Sequence, residues 1–248
     1  MTSIQAFLYV AGVGNRLGSE LSREPKVLLE LGGKSLLERH VETLAALDID
    51  RLVIVTGYRR ESIAKATRPL SDRFGVKIVE VTNPDFREGS LLSLHASIPE
   101  MRSCEGPLLL MDGDVLYPQA MLARLLEASA PTALLVDRDW SDADDDPVLV
   151  PLRSGAPFEL RKGWKGEADA VGESIGFFKI GTDDVPILID ETTSRVQAGR
   201  RSEPYEEVLR AMVLAGRFAA EDVTGMPWIE IDFPEDVERA RSVILPQL

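Results

Sequence analysis

The sequence predicts an α/β fold: a mixed, mostly parallel central sheet with helices on both faces, plus a small lobe. Through the first half of the 248 residues, short aliphatic or β-branched runs alternate with amphipathic helical stretches, which is typical of strand–helix–strand units in a parallel sheet. Residues 108–111 are apolar without interruption, as in a central strand that is covered on both faces. After residue 136 the pieces become shorter, which favours a lobe built from the second half.

The first half contains four predicted strands and three predicted helices. Strands are predicted at residues 6–10, 52–55, 76–81 and 108–111, and helices at residues 35–47, 59–70 and 90–98. Ser35 and Glu38 form a candidate capping box for the first helix, and Ser90 is the expected N-cap of the third. In sheets of this kind ligands bind beyond the carboxyl ends of the strands, so we expect the site there.

The second half is predicted to return to the same sheet. Residues 137–146 contain six aspartates and are predicted to form an exposed loop. Strands are predicted at residues 148–152, 158–161, 174–180 and 228–232, and helices at residues 203–214 and from Pro234 onward. We predict a single domain over residues 1–248, with one half at 1–136 and the other at 137–248.

The composition argues against nucleic-acid and membrane partners. A formal net charge of −13 disfavours binding to polyanions and to anionic membrane surfaces. No apolar run approaches the ~20 residues that span a bilayer, and no signal peptide is evident at the N-terminus. The single cysteine, Cys104, has no sequence partner for a disulfide and fits a reducing compartment. We therefore expect a cytoplasmic protein.

A glycine-rich loop and two cations follow the first predicted strand. Glycines at 12 and 14 let backbone N–H groups approach phosphate oxygens, although their spacing alone also fits an ordinary tight turn. Arg16 lies within the loop and Lys26 lies just beyond it. We expect Arg16 near the β/γ end of a triphosphate and Lys26 toward its α-phosphate; solvent exposure explains either cation alone.

Acidic residues end two of the predicted strands. Asp112 and Asp114 follow the central strand, and Asp232 ends the late one. Carboxylates are the ligands that Mg²⁺ prefers, and a metal held there would neutralise charge during phosphoryl transfer. Each aspartate is also explained as a cap, most seriously Asp232, because Pro234 opens a helix two residues later. We favour the metal site.

Two segments carry a likeness to a known family. They read AGVGNRLG at residues 11–18 and PKVLLELGGKSLL at residues 25–37. They resemble the signature of MobA-like nucleotidyltransferases, which have a glycosyltransferase-A-like Rossmann fold. Within that superfamily the chain is similar to bacterial phosphocholine cytidylyltransferases and their phosphonate and inositol-phosphate relatives. The similarity continues at residues 83–97, 111–117, 136–140, 172–178 and 228–232.

The resemblance implies roles for the nucleotide-side residues. Asp114 and Asp232 would hold Mg²⁺, with Asp112 supporting them or touching the ribose. Ser90 or Ser93 would hydrogen-bond the pyrimidine edge, although Ser90 is equally well explained as a helix N-cap. Arg16 and Lys26 would be the catalytic pair. The expected nucleotide-binding residues are Ala11, Gly12, Val13, Gly14, Asn15, Arg16, Lys26, Ser90, Ser93 and Asp112.

The resemblance also implies an acceptor pocket. Lys162 would meet the acceptor phosphate, and Glu173, Tyr205 and Glu206 would line the pocket. An amine such as that of 2-aminoethylphosphonate could use Glu173, Glu206 or Glu207.

A choline headgroup would need aromatic faces instead. Trp140, Trp164 and Tyr205 are available for that purpose, but Pro147 stands where a tryptophan is expected in the phosphocholine enzymes. The sequence leaves the acceptor open.

The expected function is Mg²⁺-dependent transfer from CTP to a small phosphorylated alcohol or phosphonate, with release of pyrophosphate. Alternatives are a sugar-1-phosphate nucleotidyltransferase that uses another nucleotide, a nucleotide-sugar-dependent glycosyltransferase, an NAD-binding module and a non-catalytic nucleotide sensor. The Arg16 and Lys26 pair argues against the glycosyltransferase. Thr56, where an acidic residue is expected, argues against NAD. His40 is predicted to pack in the core, and a homodimer is the default oligomer.

Overall fold

A computed structural model of the chain describes residues 4–18, 24–140 and 147–248. The strands are β1 Gln5–Tyr9, β2 Glu30–Leu31, β3 Lys34–Ser35, β4 Arg51–Thr56, β5 Lys77–Thr82, β6 Leu108–Asp112, β7 Val115–Leu116, β8 Ala133–Asp137, β9 Val148–Arg153, β10 Ala156–Pro157, β11 Arg161–Lys162, β12 Ala170–Ile180, β13 Ala219–Asp222 and β14 Ile229–Glu230. The helices are α1 Leu36–Ala46, α2 Arg60–Phe74, α3 Leu91–Ala96, α4 Ile98–Arg102, α5 Gln119–Glu127, α6 Val185–Gln197, α7 Glu206–Leu214 and α8 Pro234–Arg239.

Ten of the described strands form one mixed sheet. Its main path runs β10-β9-β12-β6-β1-β4-β5, with β11 beside β9 and with β8 and β13 extending from β12. The neighbours β6, β1, β4 and β5 are parallel, whereas β12 is antiparallel to β6, β8 and β9. The predicted fold class is confirmed.

Side chains alternate between the two faces of the sheet, and each face has its own core. In β6, Leu109 and Met111 pack in one hydrophobic cluster, whereas Leu108 and Leu110 pack in the other. The first cluster contains the apolar sides of α1, α2 and α5, and the second contains those of α3, α6 and α7. This two-sided burial explains why the central strand is apolar throughout. No helix among the described residues is long and apolar enough to cross a membrane.

Helices of the first half begin where the sequence predicts them, but two of them end elsewhere. Ser35 precedes α1, and its Oγ accepts the backbone N–H of Glu38 at 3.1 Å. α2 continues to Phe74 with Pro69 inside it, and the third predicted helix divides at Ser97 into α3 and α4.

The second half departs further from the predictions. The strand predicted at residues 158–161 is wrong, because β10 ends at Pro157 and β11 begins only at Arg161. α7 begins at Glu206, three residues later than predicted. The last predicted strand is only β14, which pairs with β7 outside the large sheet.

The predicted acidic loop is only partly described. Asp137 is buried at the end of β8, where it accepts a hydrogen bond from Trp228 Nε1 at 2.7 Å. Residues 141–146 lie outside the described residues. The division of the domain at residue 136 stays a prediction, and β8 runs across that position.

Candidate active site

A cavity of about 400 Å³ opens at the carboxyl ends of β1 and β6. Of the predicted site residues, those that line it are Ala11, Gly12, Arg16, Lys26, Ser90, Ser93, Asp112, Asp114, Lys162, Glu173, Tyr205, Glu206 and Asp232. Gly14 lines a smaller adjoining cavity. Val13 lies in the same loop without lining either cavity, and the side chain of Asn15 is outside the described part of the chain. Residues from both halves of the chain therefore meet around one space.

Two glycines permit the close approaches that shape this cavity. Gly14 has a φ of 67°, and a Cβ there would lie 2.9 Å from Lys26 Cγ. A Cβ on Gly113 would lie 2.3 Å from Val10 Cγ1, closer than packed carbon atoms approach. The glycine loop can therefore lie against the Lys26 stem, and the turn after β6 against the end of β1.

Lys26 lies between two of the predicted metal ligands. Its Nζ is 3.2 Å from Asp114 Oδ2 and also donates to Asp232 Oδ1. Arg16 Nη1 donates to Asp232 Oδ2 at 2.6 Å. Burial lowers the pKa of Lys26, but the charges of Asp114 and Asp232 more than offset this, so the pKa is raised above its ordinary value. Lys26 is therefore a firmly protonated cation in an acidic cleft.

A third carboxylate joins this cluster. Oxygens of Asp114, Glu230 and Asp232 lie within 4.8 Å of one another. Desolvation, then the charges of Asp114 and Asp232, raise the pKa of Glu230 to about 8. Glu230 was not predicted from the sequence. Its position two residues before Asp232 is a usable signal, because alternate residues of an extended segment share a side.

The side chain of Asp232 does not cap the helix that follows it. Asp236 Oδ2 accepts the backbone N–H groups of Asp232 and Phe233 at 3.0 and 2.7 Å at the start of α8. Because Asp236 caps the helix, the carboxylate of Asp232 is left to contact Lys26 and Arg16. The backbone N–H of Ile231 donates to Asp114 O at 3.0 Å, which ties this segment to the turn after β6.

Asp112 is hydrogen-bonded by Tyr205. The Tyr205 hydroxyl lies 2.9 Å from each Asp112 oxygen, and its ring stacks on Tyr9 with centroids 5.6 Å apart. Burial, then the charges of Asp114 and Glu206, raise the pKa of Asp112 well above its ordinary value. Tyr9 was also missed from the sequence, since nothing local marks a tyrosine at a strand end as a site residue.

The two predicted base-contacting serines are engaged within the protein. Ser90 Oγ accepts the backbone N–H of Tyr205 at 2.9 Å and makes no side-chain cap at α3. Ser93 Oγ accepts from Asn83 Nδ2 at 3.0 Å. Both serines line the cavity, but their hydroxyls connect the loop before α3 to other segments.

The predicted acceptor residues come from three elements. Lys162 is on β11, Glu173 is on β12 and Glu206 begins α7. Burial raises the pKa of Glu206. Glu207, the next residue, does not line this cavity and lies 3.5 Å from Arg210.

The tryptophans considered for a choline headgroup lie elsewhere. Trp164 packs on Phe158 with ring centroids 6.0 Å apart, and Trp140 Nε1 donates to Val171 O. Neither lines the cavity, whereas Pro147 does.

His40 is buried in the core and contacts the turn between Asp112 and Asp114. It is buried, with Nε2 3.3 Å from Gly113 O and Nδ1 3.2 Å from the Tyr117 hydroxyl. Burial lowers the pKa of His40 to about 4. The predicted core position of His40 is confirmed, and its contact with Gly113 adds a structural role under the acidic turn.

Comparison with known proteins finds relatives that match almost the whole length of this chain. The chain is 26% identical over 247 residues to the bifunctional IPC transferase and DIPP synthase of Thermococcus kodakarensis, covering 99% of this chain and 51% of that protein. It is 30% identical over 250 residues to the CMP-5′-(3-aminopropyl)phosphonate synthase of Streptomyces rubellomurinus, covering 96% of this chain and 38% of that protein. The chain thus spans about half, or less, of the length of these curated relatives.

Structural similarity extends over the whole fold. The inositol-1-phosphate CTP transferase of T. maritima superposes with a TM-score of 0.76 at 19% identity, covering 98% of each chain. Residues 6–172 match the family model described as the MobA-like NTP transferase domain, and this match includes the glycine loop, Lys26 and Asp114. The chain therefore belongs to the MobA-like NTP transferase family and carries its nucleotidyltransferase domain.

Proposed function

We propose that this chain transfers a cytidylyl group from CTP to a phosphate or phosphonate oxygen of a small acceptor. That oxygen attacks the α-phosphorus, the bond to the bridging oxygen of the β-phosphate breaks, and pyrophosphate leaves with the electron pair. Because the acceptor oxygen is already ionised, the reaction needs no strong general base. Alignment and charge neutralisation then provide the catalysis.

The observation that carries this proposal is the meeting of Lys26 with Asp114 and Asp232 beside the glycine loop. A triphosphate needs cations near its reacting phosphates and backbone donors along its length. Lys26 would exchange its carboxylate partners for an α-phosphate oxygen, and Arg16 would bind nearer the β- and γ-phosphates. Backbone N–H groups of Gly12 and Gly14 would approach the remaining oxygens.

The acidic cluster fits a magnesium ion. Its three carboxylates bring oxygen atoms within 4.8 Å of one another, and hard oxygen donors are what Mg²⁺ prefers. Asp114 and Asp232 would hold the ion, with Glu230 as a further donor. Bound there, the ion would neutralise charge on the α-phosphate and on the departing pyrophosphate.

Cytidine is favoured by the similarity to a relative named as a CMP-phosphonate synthase. The test is pyrophosphate release with CTP, UTP, GTP and ATP, each with Mg²⁺ and a panel of phosphorylated alcohols and phosphonates. We expect CTP to give the fastest release. Release with another nucleotide and a sugar 1-phosphate would replace cytidylyl transfer by the alternative nucleotidyl transfer. No release with any combination would contradict the proposed function.

A further inference from the structure

We infer that Arg201 is a positioning residue that links nucleotide binding to acceptor binding. Its guanidinium group joins two loops beside the cavity. The first loop, residues 83–90, leads from β5 to α3, and the second loop, residues 198–205, leads from α6 to α7. The inference rests on the proposed function, because the two binding steps that it links are those of the proposed reaction.

Arg201 makes ionic hydrogen bonds to two carboxylates of the first loop. Its Nε donates to Glu88 Oε2 at 2.8 Å and its Nη2 donates to Glu88 Oε1 at 3.1 Å. The same Nη2 donates to Asp85 Oδ2 at 2.8 Å. A guanidinium group that binds a carboxylate through two N–H groups fixes orientation as well as distance. The three side chains are 40% to 49% exposed, so these ion pairs add little to the stability of the fold.

The two loops are also joined by backbone hydrogen bonds. The backbone N–H of Leu91, the first residue of α3, donates to Glu203 O at 3.1 Å. The backbone N–H of Tyr205, at the end of the second loop, donates to Ser90 Oγ at 2.9 Å. Hydrogen bonds of this length are lost when the groups move apart by about an ångström. The separation of the loops therefore decides how α3 and α7 begin.

Two glycines let the first loop pack closely on both sides. A Cβ on Gly89 would lie 2.7 Å from Arg201 O in the second loop. A Cβ on Gly57 would lie 2.6 Å from the Cβ of Phe86, in the first loop, and 2.9 Å from Ala11 O. Ala11 lines the cavity in the segment where we propose that the nucleotide binds. The first loop is thus packed between the second loop and the proposed nucleotide side.

The second loop leads into the predicted acceptor side. Tyr205 ends this loop, and its hydroxyl donates to Asp112. Glu206, the next residue, begins α7 and lines the cavity. Ser90, at the end of the first loop, lines the same cavity. A change in the separation of the loops would therefore move cavity residues on both sides at once.

Loops that are held in place before binding lower the ordering cost of both binding steps. Without the Arg201 guanidinium group, the loops would occupy the binding-competent arrangement for only part of the time. The apparent affinity for each substrate would then fall by that fraction, and the first substrate to bind would restore the affinity for the second. A residue that only stabilised the fold would instead lower the thermal midpoint and the active fraction, with unchanged affinities.

The test combines calorimetry with Mg²⁺ and CTP, or the nucleotide that replaces it in the panel, and pyrophosphate release with the acceptor that reacts fastest. In Arg201→Gln we expect about fivefold weaker nucleotide binding, and about a fivefold higher acceptor KM when the nucleotide is below its dissociation constant. Saturating nucleotide should remove most of the rise in acceptor KM and leave kcat within about twofold of the unchanged protein.

Two further variants of the second loop calibrate this result. Arg201→Lys keeps the charge but lacks the paired N–H groups, so it should recover part of both affinities. Arg200→Gln is the matched control, because it removes the same charge from the neighbouring position. Arg200 lies 3.8 Å from Glu203 within its own loop, so this control should bind both substrates like the unchanged protein.

A double-mutant cycle tests whether Arg201 acts through the first loop. In a protein that already carries Asp85→Asn and Glu88→Gln, Arg201→Gln should weaken nucleotide binding no further. Hydrogen exchange provides a readout that needs no substrate. The backbone amides of Leu91 and Tyr205 should exchange about tenfold faster in Arg201→Gln, whereas those of β6 should keep their rates.

Three results would overturn the positioning role and leave nucleotidyl transfer standing. They are unchanged affinities in Arg201→Gln, an equal effect of Arg200→Gln, and a fall in kcat alone together with a lower thermal midpoint. Absence of pyrophosphate release from the unchanged protein with every nucleotide and acceptor would overturn the proposed function and the kinetic role together. The exchange rates would then still show whether Arg201 holds the two loops.

Discussion

The two ends of the cavity differ in how their charged groups are matched. At the end where we propose that the nucleotide binds, Lys26 contacts Asp114 and Asp232, and Arg16 contacts Asp232. At the acceptor end, Glu206 keeps an oxygen without a donor in the described structure. These ion pairs hold the proposed catalytic side chains in place before any substrate binds. The Glu206 oxygen takes no part in that network, so we expect substitutions at the two ends to have different kinetic signatures.

The largest effect is expected from Asp232→Asn, which removes the ion pairs of Asp232 with Lys26 and Arg16. The change removes a proposed metal ligand and weakens the contacts with Lys26 and Arg16, so kcat should fall by about 1,000-fold whichever acceptor is used. Glu235→Gln, on the exposed side of α8, should retain full turnover as the control. A loss for Asp232→Asn smaller than tenfold would remove the carboxylate cluster from the mechanism.

The support beneath the nucleotide end should respond to acid through His40. Its folded-state pKa of about 4 lies below the ordinary value of about 6.5, so the unfolded chain takes up the proton more readily. The stability linked to this group is complete above pH 6.5 and is lost as the pH falls toward 4, by up to about 3 kcal/mol. Urea unfolding across this range should show a smaller decline for His40→Gln. Parallel curves for the two proteins would contradict this role.

A pair of glycine substitutions separates folding from binding at the nucleotide end. Gly113→Ala places a Cβ against Val10 and should lower the free energy of unfolding by about 2 kcal/mol. A Cβ on Gly12 meets nothing within 4 Å, so Gly12→Ala should keep its stability and instead raise KM for the nucleotide. Thermal unfolding and pyrophosphate release measure the two effects. A stable Gly113→Ala variant would show that the turn after β6 can move away from β1.

The smallest effect is expected where the two ends meet, at Tyr205. Tyr205→Phe removes the hydrogen bond to Asp112 and keeps the stacking on Tyr9. It should lower kcat/KM by about tenfold, the order expected for one hydrogen bond to a charged group. Tyr205→Leu also removes the stacking and should cost more. If the Phe variant is as active as the unchanged protein, the hydrogen bond between Tyr205 and Asp112 does not contribute to turnover.

Local patterns in the sequence predicted the framework of the fold, because spacing and capping are local properties. The apolar run of β6 and Ser35 at the start of α1 are examples. Residues 158–160 have the composition of a strand, but they form the connection between β10 and β11. Both of these short strands pair with β9. Whether these residues form a strand depends on which strands pair in the folded protein, and the local sequence does not determine that pairing.

In the candidate site, too, local motifs were predicted from the sequence and contacts between distant segments were not. Motifs indicated Lys26, Asp114 and Asp232, although the first and last are 206 residues apart. The bond between Ser90 and Tyr205, by contrast, links residues 115 apart whose local sequence fits other roles equally well. The spacing of Glu230 from Asp232 could have indicated it, but its closeness to Asp114 depends on the pairing of β14 with β7, which no local pattern predicts.

Calorimetric titration of CTP into the protein, with Mg²⁺ or with a chelator, tests the central claim most directly. We expect Mg²⁺ to strengthen CTP binding by at least about tenfold, and the double variant Asp114→Asn, Asp232→Asn to lose this gain while its circular-dichroism spectrum remains that of the folded protein. Equal affinity with Mg²⁺ and with chelator in the unchanged protein would contradict the carboxylate cluster as the metal site.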